Sequence, residues 1–463
     1  GLGSSAWTYW QDEMPEPTEV MPSTKVVIAP DMNEDGIINW QDAAIEYRKV
    51  MNNPFGWEKV ANTVNERIAM NFGGQAPNPF LKGLDNIKRV ALNTDGLQQF
   101  VLEKGYANEG HDSAHPDYAD IGKKIGGAEE MQMLIDEAKA YGGNIGIHVN
   151  MQESYPEADA FCEELIGSNG TGWGWLDQGY VIDKMHDLVS GNRQQRLEEL
   201  AATVQGIDLL YVDVWYQDSW ESRQLAKQIN DLGWRLGTEF GYKMEYNGVW
   251  THWATDLNYG SDKGYNSQIA RFIANHQKDN WISKSTRGGA ANNPLLGGVD
   301  LAGFEGWQAN KDYNSYIYKT FHTQLPTKFL QHYLVTSWTQ GDLIGGTNCR
   351  WDEEIKLHSM DENGLLAGDD EVVVTRVGND SRIITLNGKK VLEGESYLIP
   401  WYWPTSNGEE VVSQQKLYHW NSQGGSTTWE LPDDWADVGS VMVYKLTDQG
   451  KVEGRAVDII NGQ

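Results

Sequence analysis

The feature of this 463-residue chain that most limits its fold is an alternation of strand-like and helix-like segments between about residues 60 and 345. Short apolar runs with the character of buried strands occur at Arg67–Phe72, Asn144–Asn150 and Leu209–Trp215. Helix-like segments separate these runs, and one of them repeats apolar residues at helical spacing: Met131, Leu134, Ile135 and Ala138. Repeated units of this kind predict an α/β fold, a (β/α)₈ TIM-like barrel, which we place at residues 61–364.

The same alternation predicts further barrel strands, at Arg89–Asn93, Arg235–Phe240, Trp250–Asp256 and Leu334–Trp338. One connecting helix is predicted to begin after Asp218, because Glu221 follows three residues later in a capping-box pattern.

The two ends of the chain differ from its centre. Glu371–Val374 and Val441–Tyr444 are strand-like, and Asn387-Gly388 lies between two strand-like runs as a signal for a two-residue hairpin turn. We therefore predict an all-β, sandwich-like domain over residues 365–463. Residues 1–60 are predicted to form a lead-in segment.

Composition excludes some classes of partner. The formal net charge is −29 and no Lys/Arg-rich run occurs, so neither nucleic acid nor an anionic membrane surface is an expected partner. No apolar run is long enough to insert into a membrane. The two cysteines, Cys162 and Cys349, form no metal-binding or redox motif, and no organic cofactor is expected.

Aromatic residues are abundant, with 20 Trp and 21 Tyr, and many of them neighbour Gly, Asn or Asp. Flat aromatic faces in polar loops suit the apolar faces of sugar rings. The alternative is that many of these rings simply fill the core, as Trp side chains do on average.

Two carboxylates, Asp213 and Glu239, lie at the ends of consecutive predicted strands. Active sites of such barrels form at the C-terminal ends of the strands, so both carboxylates are expected on one rim. Hydrolysis of a glycosidic bond uses one carboxyl group as acid and a second as nucleophile or base. The alternative is that either acid caps a loop or pairs with an arginine.

Two polar loops are further candidates for substrate contact. Residues 109–118 are dense in polar groups and contain Gly and Pro, and Asp112 there could hold paired sugar hydroxyls or could form a simple turn. In residues 169–177, Gly172 and Gly174 precede Trp173 and Trp175, which suits a mobile lid with two stacking rings or an ordinary loop.

The segment from Asp31 to Asp42 matches the pattern of a calcium-binding loop, with Asp at position 12 where EF-hands use Glu. The expected Ca²⁺ ligands are Asp31, Asn33, Asp35, Ile37 and Asp42. Such a site would be structural, since it lies outside the predicted strand ends. The alternative is a turn followed by the N-cap of a helix.

Together these motifs resemble the catalytic region of glycoside hydrolase family 101, the endo-α-N-acetylgalactosaminidases, over about residues 31–338. The resembling segments are Asp31–Gly36, Gly110–Ser113, His148–Asn150, Gly172–Asp177, Tyr211–Trp215 and Gly233–Arg235. Two features depart from the family pattern: the interval between Asp213 and Glu239 is shorter, and Glu239 lacks the expected aliphatic and Trp neighbours. Members are usually much longer, so a catalytic core fragment is expected.

The resemblance implies a retaining enzyme that releases Gal-β1,3-GalNAc from Ser or Thr of mucin-type glycoproteins, outside the cell or at its surface. It implies Asp213 as nucleophile, Glu239 as acid/base, and His111 and Asp112 as galactose ligands. Asn169, Trp173 and Trp175 would form the lid. Other substrate contacts are expected at His148, Asn150, Asp177, Trp215 and Gln308.

Two other functions remain open on the sequence alone. One is an exo-acting α-galactosidase or α-N-acetylgalactosaminidase that takes single terminal sugars. The other is a non-catalytic glycan-binding surface protein, although acids at two strand ends favour an enzyme.

Overall fold

The computed structural model describes residues 23–174, 177–217, 219–240, 244, 246–253, 268–280, 295–299, 301, 303–339, 352–377 and 381–463. The predicted N-cap Asp218 therefore lies outside the described residues. In the described part of the chain, no helix has both the length and the apolar character needed to cross a bilayer.

The central part of the chain is a parallel sheet with helices packed against it. Its strands, and the three strands β4 to β6 of a small separate sheet inserted among them, are β1 (Thr63–Met70), β2 (Gln98–Lys104), β3 (Gly143–Asn150), β4 (Glu153–Ser154), β5 (Ile166–Gly174), β6 (Gln178–Ile182), β7 (Leu209–Asp213), β8 (Arg235–Phe240), β9 (Gly248–Trp253) and β10 (Asp279–Asn280). The helices along the chain are α1 (Trp40–Tyr47), α2 (Phe80–Thr94), α3 (Gly127–Ala138), α4 (Lys184–Val189), α5 (Asn192–Thr203), α6 (Ser219–Asp231), α7 (Gln268–Ala274), α8 (Tyr313–Lys319) and α9 (Leu325–Gln331).

Seven strands pair in parallel in the order β1-β2-β3-β7-β8-β9-β10. Strands of such a sheet are buried on both faces, and in β1 every residue except Met70 is buried, including the polar Asn65, Glu66 and Arg67. In β2, Val101 packs with the helices while Phe100 and Leu102 pack into a separate cluster with Leu209 and Tyr211 of β7. The α/β class and the parallel strand–helix arrangement predicted from the sequence are confirmed.

The strand predicted at Arg89–Asn93 is wrong, because this segment lies inside helix α2. Helix α2 buries Leu84, Ile87 and Val90 at helical spacing, and it ends at Asp95 in the left-handed conformation. The five residues of the predicted strand are too few to show the helical repeat of apolar residues along α2. The strand of this unit follows the helix instead, as β2.

The C-terminal part of the chain is antiparallel. Its strands are β11 (Tyr333–Thr339), β12 (Glu353–Met360), β13 (Leu366–Arg376), β14 (Ile383–Leu386), β15 (Lys389–Glu393), β16 (Ser396–Trp401), β17 (Pro404–Ser406), β18 (Val411–Ser413), β19 (Lys416–Asn421), β20 (Ser440–Thr447) and β21 (Gly450–Asp458). Seven of them form one sheet in the order β11-β12-β13-β14-β15-β16-β19. The predicted hairpin is present as β14–β15, and its turn residues Asn387 and Gly388 both have positive φ, as a type I′ turn requires.

The segment Leu334–Trp338, predicted as a barrel strand, belongs to this antiparallel sheet. It lies in β11, which pairs with β12 so that Val335 faces Leu357. The sheet therefore begins at Tyr333, ahead of the predicted domain boundary at residue 365. An apolar strand sequence reports burial, but it does not report which partner strand buries it.

The lead-in segment docks on the start of the C-terminal sheet. Trp338 donates its backbone N–H to the Gln41 side chain at 2.8 Å, and Gln41 donates back to the Trp338 carbonyl at 3.0 Å. The buried Arg48 guanidinium donates to the carbonyls of Phe272 in α7 and Val335 in β11, at 2.6 and 2.7 Å. Helix α1 thus joins helix α7 to strand β11.

A fully buried lysine ties helix α9 to the parallel sheet. Lys328 Nζ donates to the Val60 carbonyl at 2.8 Å, to Glu66 Oε1 at 3.2 Å and to Asp279 Oδ2 at 2.5 Å. Burial and the neighbouring Asp279 carboxylate raise the pKa of Glu66 well above its usual value, against the opposing effect of Lys328. The two acids therefore depend on the ammonium group for compensation.

We expect Lys328→Met to destabilise the protein by about 3–5 kcal/mol, because it leaves the buried acid pair of Glu66 and Asp279 without its counter-charge. Urea unfolding of the variant and the wild type measures this difference. Lys49→Met, which removes an exposed pair with Glu46 on the surface, should change little. Equal unfolding midpoints for Lys328→Met and the wild type would contradict the role given to this lysine.

Candidate active site

A cavity of about 410 Å³ opens at the C-terminal ends of the parallel strands. The last residues of four adjacent strands line it: Met70 of β1, Lys104 of β2, Asn150 of β3 and Asp213 of β7. Glu239, one residue before the end of β8, lines the same cavity. The two carboxylates singled out in the sequence therefore meet at one rim, where barrel active sites form.

The Asp213 carboxylate lies beside two basic side chains from the neighbouring strands. Its Oδ2 lies 3.0 Å from His148 Nε2 and 3.8 Å from Lys104 Nζ. Burial raises the pKa of Asp213, but Lys104 and His148 outweigh burial and lower this pKa below its usual value. Asp213 is therefore an ionised carboxylate at neutral pH.

His148 is a neutral imidazole in this arrangement. Burial and the Lys104 charge lower the pKa of His148 to about 4, although Asp213 opposes the shift. Its Nε2 also lies 2.6 Å from Lys104 Nζ, and its ring stacks on Tyr211 at a centroid distance of 5.2 Å. Lys104 therefore supplies the positive charge next to Asp213, and His148 supplies a fixed polar contact.

A strained residue joins the two acids. Val214 directly follows Asp213 and has a φ of +46°, a conformation that is costly for a β-branched side chain. In this conformation its backbone N–H donates to Glu239 Oε2 at 3.2 Å. The turn that ends β7 thus places a hydrogen-bond donor between the nucleophile candidate and the acid/base candidate.

A second polar region surrounds Asp112, which is buried at the edge of the same cavity. Its Oδ1 lies 3.0 Å from His111 Nδ1, and its Oδ2 accepts from Asn150 Nδ2 at 3.4 Å. Burial raises the pKa of Asp112, but the effect of His111, with smaller effects of His115 and His148, holds this pKa well below its usual value. Asp112 is a charged acceptor suited to hydroxyl groups.

Ligand atoms of His111, Asp112 and His148 all lie within 4.8 Å of one another, a spacing that a metal ion could use. The Lys104 ammonium group contacts His148 directly, however, and would repel a cation there. These groups are therefore better suited to hydrogen bonding with a neutral polar ligand.

An inserted antiparallel pair, β5–β6, which we call the lid hairpin, lies beside the cavity. Trp173 of this hairpin is 56% exposed and lines the cavity together with Asp177. An exposed ring at the mouth of a cavity is available to a ligand. Trp175 lies outside the described residues, as does the side chain of Asn169.

Two other predicted contact residues lie elsewhere. Trp215 is buried in the core, where its indole N–H donates to Ser222 at 2.9 Å, so its ring cannot stack on a sugar. Gln308 is exposed, whereas its neighbour Trp307 lines the cavity, with Lys104 Nζ 4.8 Å from the Trp307 ring centroid.

Several cavity residues were missed by sequence reasoning: Lys104, Glu153, Tyr155, Glu157 and Trp307. Lys104 could have been found once β2 was assigned correctly, because it is the last residue of that strand. Glu153 and Tyr155 follow β3 without any motif, and no sequence signal marks them.

Models of known protein families match most of the chain. A family model described as endo-alpha-N-acetylgalactosaminidase, of glycoside hydrolase family 101, matches residues 41–317. A model of the family's beta sandwich domain matches residues 323–452, and a galactose mutarotase-like fold domain matches residues 1–40. The chain belongs to glycoside hydrolase family 101.

A relative supports the same membership. The chain is 38% identical over its whole length to a Renibacterium salmoninarum protein to which endo-alpha-N-acetylgalactosaminidase activity is assigned by name only. The chain spans 29% of that protein's length.

Solved structures show a similar fold at low identity. The alpha-N-acetylgalactosaminidase NagBb from Bifidobacterium bifidum, in complex with GalNAc, has a TM-score of 0.52 and 15% identity. That match covers 75% of this chain and 63% of the other. A quadruple mutant of the same enzyme gives a TM-score of 0.52 and 13% identity, covering 74% and 64%. These likenesses concern the fold.

We expect Lys104→Met to move the acidic limb of the kcat/KM profile to higher pH. The lysine charge lowers the pKa of Asp213, so its removal raises that pKa, and the ionised carboxylate is then lost at a higher pH. The measurement is kcat/KM against pH for an aryl glycoside that the wild type hydrolyses. Lys227→Met, at an exposed pair on α6, is the control. An unshifted acidic limb in Lys104→Met would contradict the electrostatic role of Lys104.

Proposed function

We propose that this chain is the catalytic part of a retaining endo-α-N-acetylgalactosaminidase that releases Gal-β1,3-GalNAc from Ser or Thr of mucin-type glycoproteins. The observation that carries the proposal is one cavity with an ionised Asp213, a second carboxyl at Glu239 and a separate polar region at Asp112. The family and the name of the relative support the same activity. Since mucin-type glycoproteins are exposed outside cells, the enzyme would act there or at the cell surface.

In the first step, the Asp213 carboxylate attacks the anomeric carbon of GalNAc and the bond to the Ser or Thr oxygen breaks. Glu239 gives its proton to that oxygen, so the peptide leaves as a neutral hydroxyl. The Lys104 charge keeps Asp213 ionised, and His148 of the neighbouring strand β3 lies against the carboxylate. The product of this step is a covalent glycosyl-enzyme.

In the second step, Glu239 takes a proton from a water molecule, and the resulting oxygen attacks the same anomeric carbon. The bond to Asp213 breaks and the carboxylate is restored. The Val214 N–H, which donates to Glu239, helps to fix the carboxylate through which both protons pass. Two displacements at one carbon retain its configuration.

The region around Asp112 would bind the outer galactose. Asp112, with His111 beside it, offers a charged acceptor for hydroxyl groups. Binding of this remote sugar would position the scissile bond, so its loss should lower kcat as well as affinity. The cavity volume of about 410 Å³ is in the usual range for small-ligand sites.

We expect the wild type to release a disaccharide from a core 1 glycopeptide, with the α anomer formed first. Asp213→Ala should abolish turnover because no nucleophile remains. Glu239→Ala should still cleave a substrate with an activated leaving group, since that group needs no proton in the first step. Proton NMR of the first-formed product and mass analysis of the released sugar make the measurements.

Three results would contradict parts of this proposal. An initial β anomer would mean inversion and would remove Asp213 from the nucleophile role. Release of single GalNAc or galactose would favour the exo-acting alternative. Binding of the glycopeptide without release of any sugar would favour a glycan-binding protein.

We also propose that the loop from Asp31 to Asp42 binds Ca²⁺. Asp31 accepts from the backbone N–H of Asp35 and Gly36, at 3.2 and 2.8 Å, and Asp35 accepts from that of Ile37 at 2.8 Å. Gly36, at position 6 of the loop, has a φ of +83°, the sharp turn that such loops need. The acidic oxygens therefore gather around one short loop, and Asn33, Ile37 and Asp42 would complete the donor set.

The alternative role of a helix N-cap is also present in this loop. Asp42 accepts from the backbone N–H of Met32 at 2.6 Å and of Asn39 at 2.7 Å, in a capping box with Asn39 as N-cap of α1. Asn33 donates to the Thr336 carbonyl of β11 at 3.3 Å, so the loop adjoins the C-terminal sheet rather than the barrel.

We expect exhaustive chelation to lower the melting temperature, because an ion bound only by the folded state stabilises it. Activity at low temperature should change little, since no residue of this loop lines the cavity. The double variant Asp31→Asn/Asp35→Asn is the matched control, and its melting temperature should not respond to the chelator. A wild-type melting temperature that is also unresponsive would leave the loop as a turn and a helix cap.

A further inference from the structure

Glu153 is a buried carboxylate of the cavity wall with no role in the chemistry described above. It is 4% exposed and lies three residues beyond the end of β3. Its Oε1 accepts the backbone N–H of Trp173 in the lid hairpin at 2.7 Å. Its Oε2 accepts from Asn150 Nδ2 at 2.9 Å and from the Tyr155 hydroxyl at 3.2 Å. One carboxylate oxygen thus binds the lid hairpin, and the other binds side chains near the end of β3.

The lid hairpin has a glycine, Gly172, where it meets the Glu153 carboxylate. A Cβ added to Gly172 would lie 2.4 Å from Glu153 Oε1 and 2.7 Å from its Cδ. The Glu153 side chain could not easily move away, because the three donors hold it. Glycine at position 172 is therefore what allows the carboxylate to reach the lid backbone.

Asn150 extends the connection to the second polar region. Its Nδ2 lies within hydrogen-bonding distance of both Glu153 Oε2 and Asp112 Oδ2, at 2.9 and 3.4 Å. Its Oδ1 accepts the backbone N–H groups of Gln152 and Glu153, so the Asn150 side chain is fixed in orientation. A continuous chain of hydrogen bonds thus runs from Asp112 through Asn150 and Glu153 to Trp173.

We propose that Glu153 is a positioning residue that holds Trp173 of the lid hairpin against the sugar-binding cavity. The indole of Trp173 can then contact substrate only where the carboxylate places its backbone. Glu153 acts through Trp173 and does not touch the reacting atoms. The consequence for substrate use rests on the function proposed above, whereas the fixation of the lid backbone does not.

The charge-neutral variant Glu153→Gln tests the contact itself. All three groups around Glu153 donate hydrogen bonds to it, and glutamine offers one acceptor oxygen and an NH₂ donor. The amide must therefore face at least one donor with another donor. The Trp173 amide should exchange its hydrogen faster in Glu153→Gln, as measured by hydrogen–deuterium exchange on a peptide covering residues 170–174.

This exchange measurement needs no substrate and is independent of the proposed activity. Glu164→Gln, an exposed acid of the same inserted segment, should leave the exchange unchanged. Gly172→Ala breaks the contact from the other side and should increase the exchange of the same peptide. Wild-type exchange in both Glu153→Gln and Gly172→Ala would overturn the proposal.

A double-mutant cycle tests the effect on catalysis. Loss of a charged hydrogen bond at Glu153 should lower kcat/KM for the core 1 glycopeptide about tenfold or more. Trp173→Ala should lower kcat/KM as well, and Glu153→Gln/Trp173→Ala should be no worse than Trp173→Ala alone. If the two losses multiply instead, Glu153 acts independently of Trp173 and the proposal is wrong.

The exchange measurement and the double-mutant cycle together distinguish a failure of this proposal from a failure of the proposed function. A wild-type enzyme that releases no disaccharide would contradict the proposed function, and the exchange result would still decide the role of Glu153. If the enzyme releases the disaccharide but the kcat/KM losses of Glu153→Gln and Trp173→Ala multiply, the proposed function stands and the role given to Glu153 is wrong.

Discussion

The chemistry of the cavity depends on keeping one largely buried carboxylate charged. An acid taken out of water normally becomes harder to ionise, and burial does raise the pKa of Asp213. Lys104 and His148 reverse that effect because the parallel register of β2, β3 and β7 brings their side chains to the same rim. The order of strands in the sheet is therefore what makes Asp213 a nucleophile candidate.

The same cavity combines rigid and adaptable parts. Strand ends supply Lys104 and Asp213, and the strained Val214 fixes a donor next to Glu239. The remaining walls come from loops and from the lid hairpin, which β6 joins to β4 by backbone pairing and which the Glu153 side chain contacts at Trp173. Strain at Val214 is tolerable because the strands on either side of the turn are held by the buried sheet. Binding groups on such a scaffold can vary while the acids remain in place.

Segments with a long and consistent pattern could be predicted from the sequence. Helix α3 and the hairpin around Asn387-Gly388 follow from local spacing and turn chemistry, which neighbouring elements did not override. Arg89–Asn93 and Leu334–Trp338 could not be assigned correctly from short apolar runs. The first lies within a longer helical period, and the second pairs with β12 of the C-terminal sheet. Apolar character in a short window establishes burial without establishing the partner.

The sequence by itself determined the α/β class, the β character of the C-terminal part and the two acids at consecutive strand ends, because each depends on local spacing. Only the tertiary structure decided that Trp215 is a core residue and that Trp307 lines the cavity. It also placed Lys104 beside Asp213 and joined Glu153 to the backbone of Trp173. These contacts join residues on different strands and loops, so their geometry depends on how the strands pair and where the loops return. No spacing along the chain records that information.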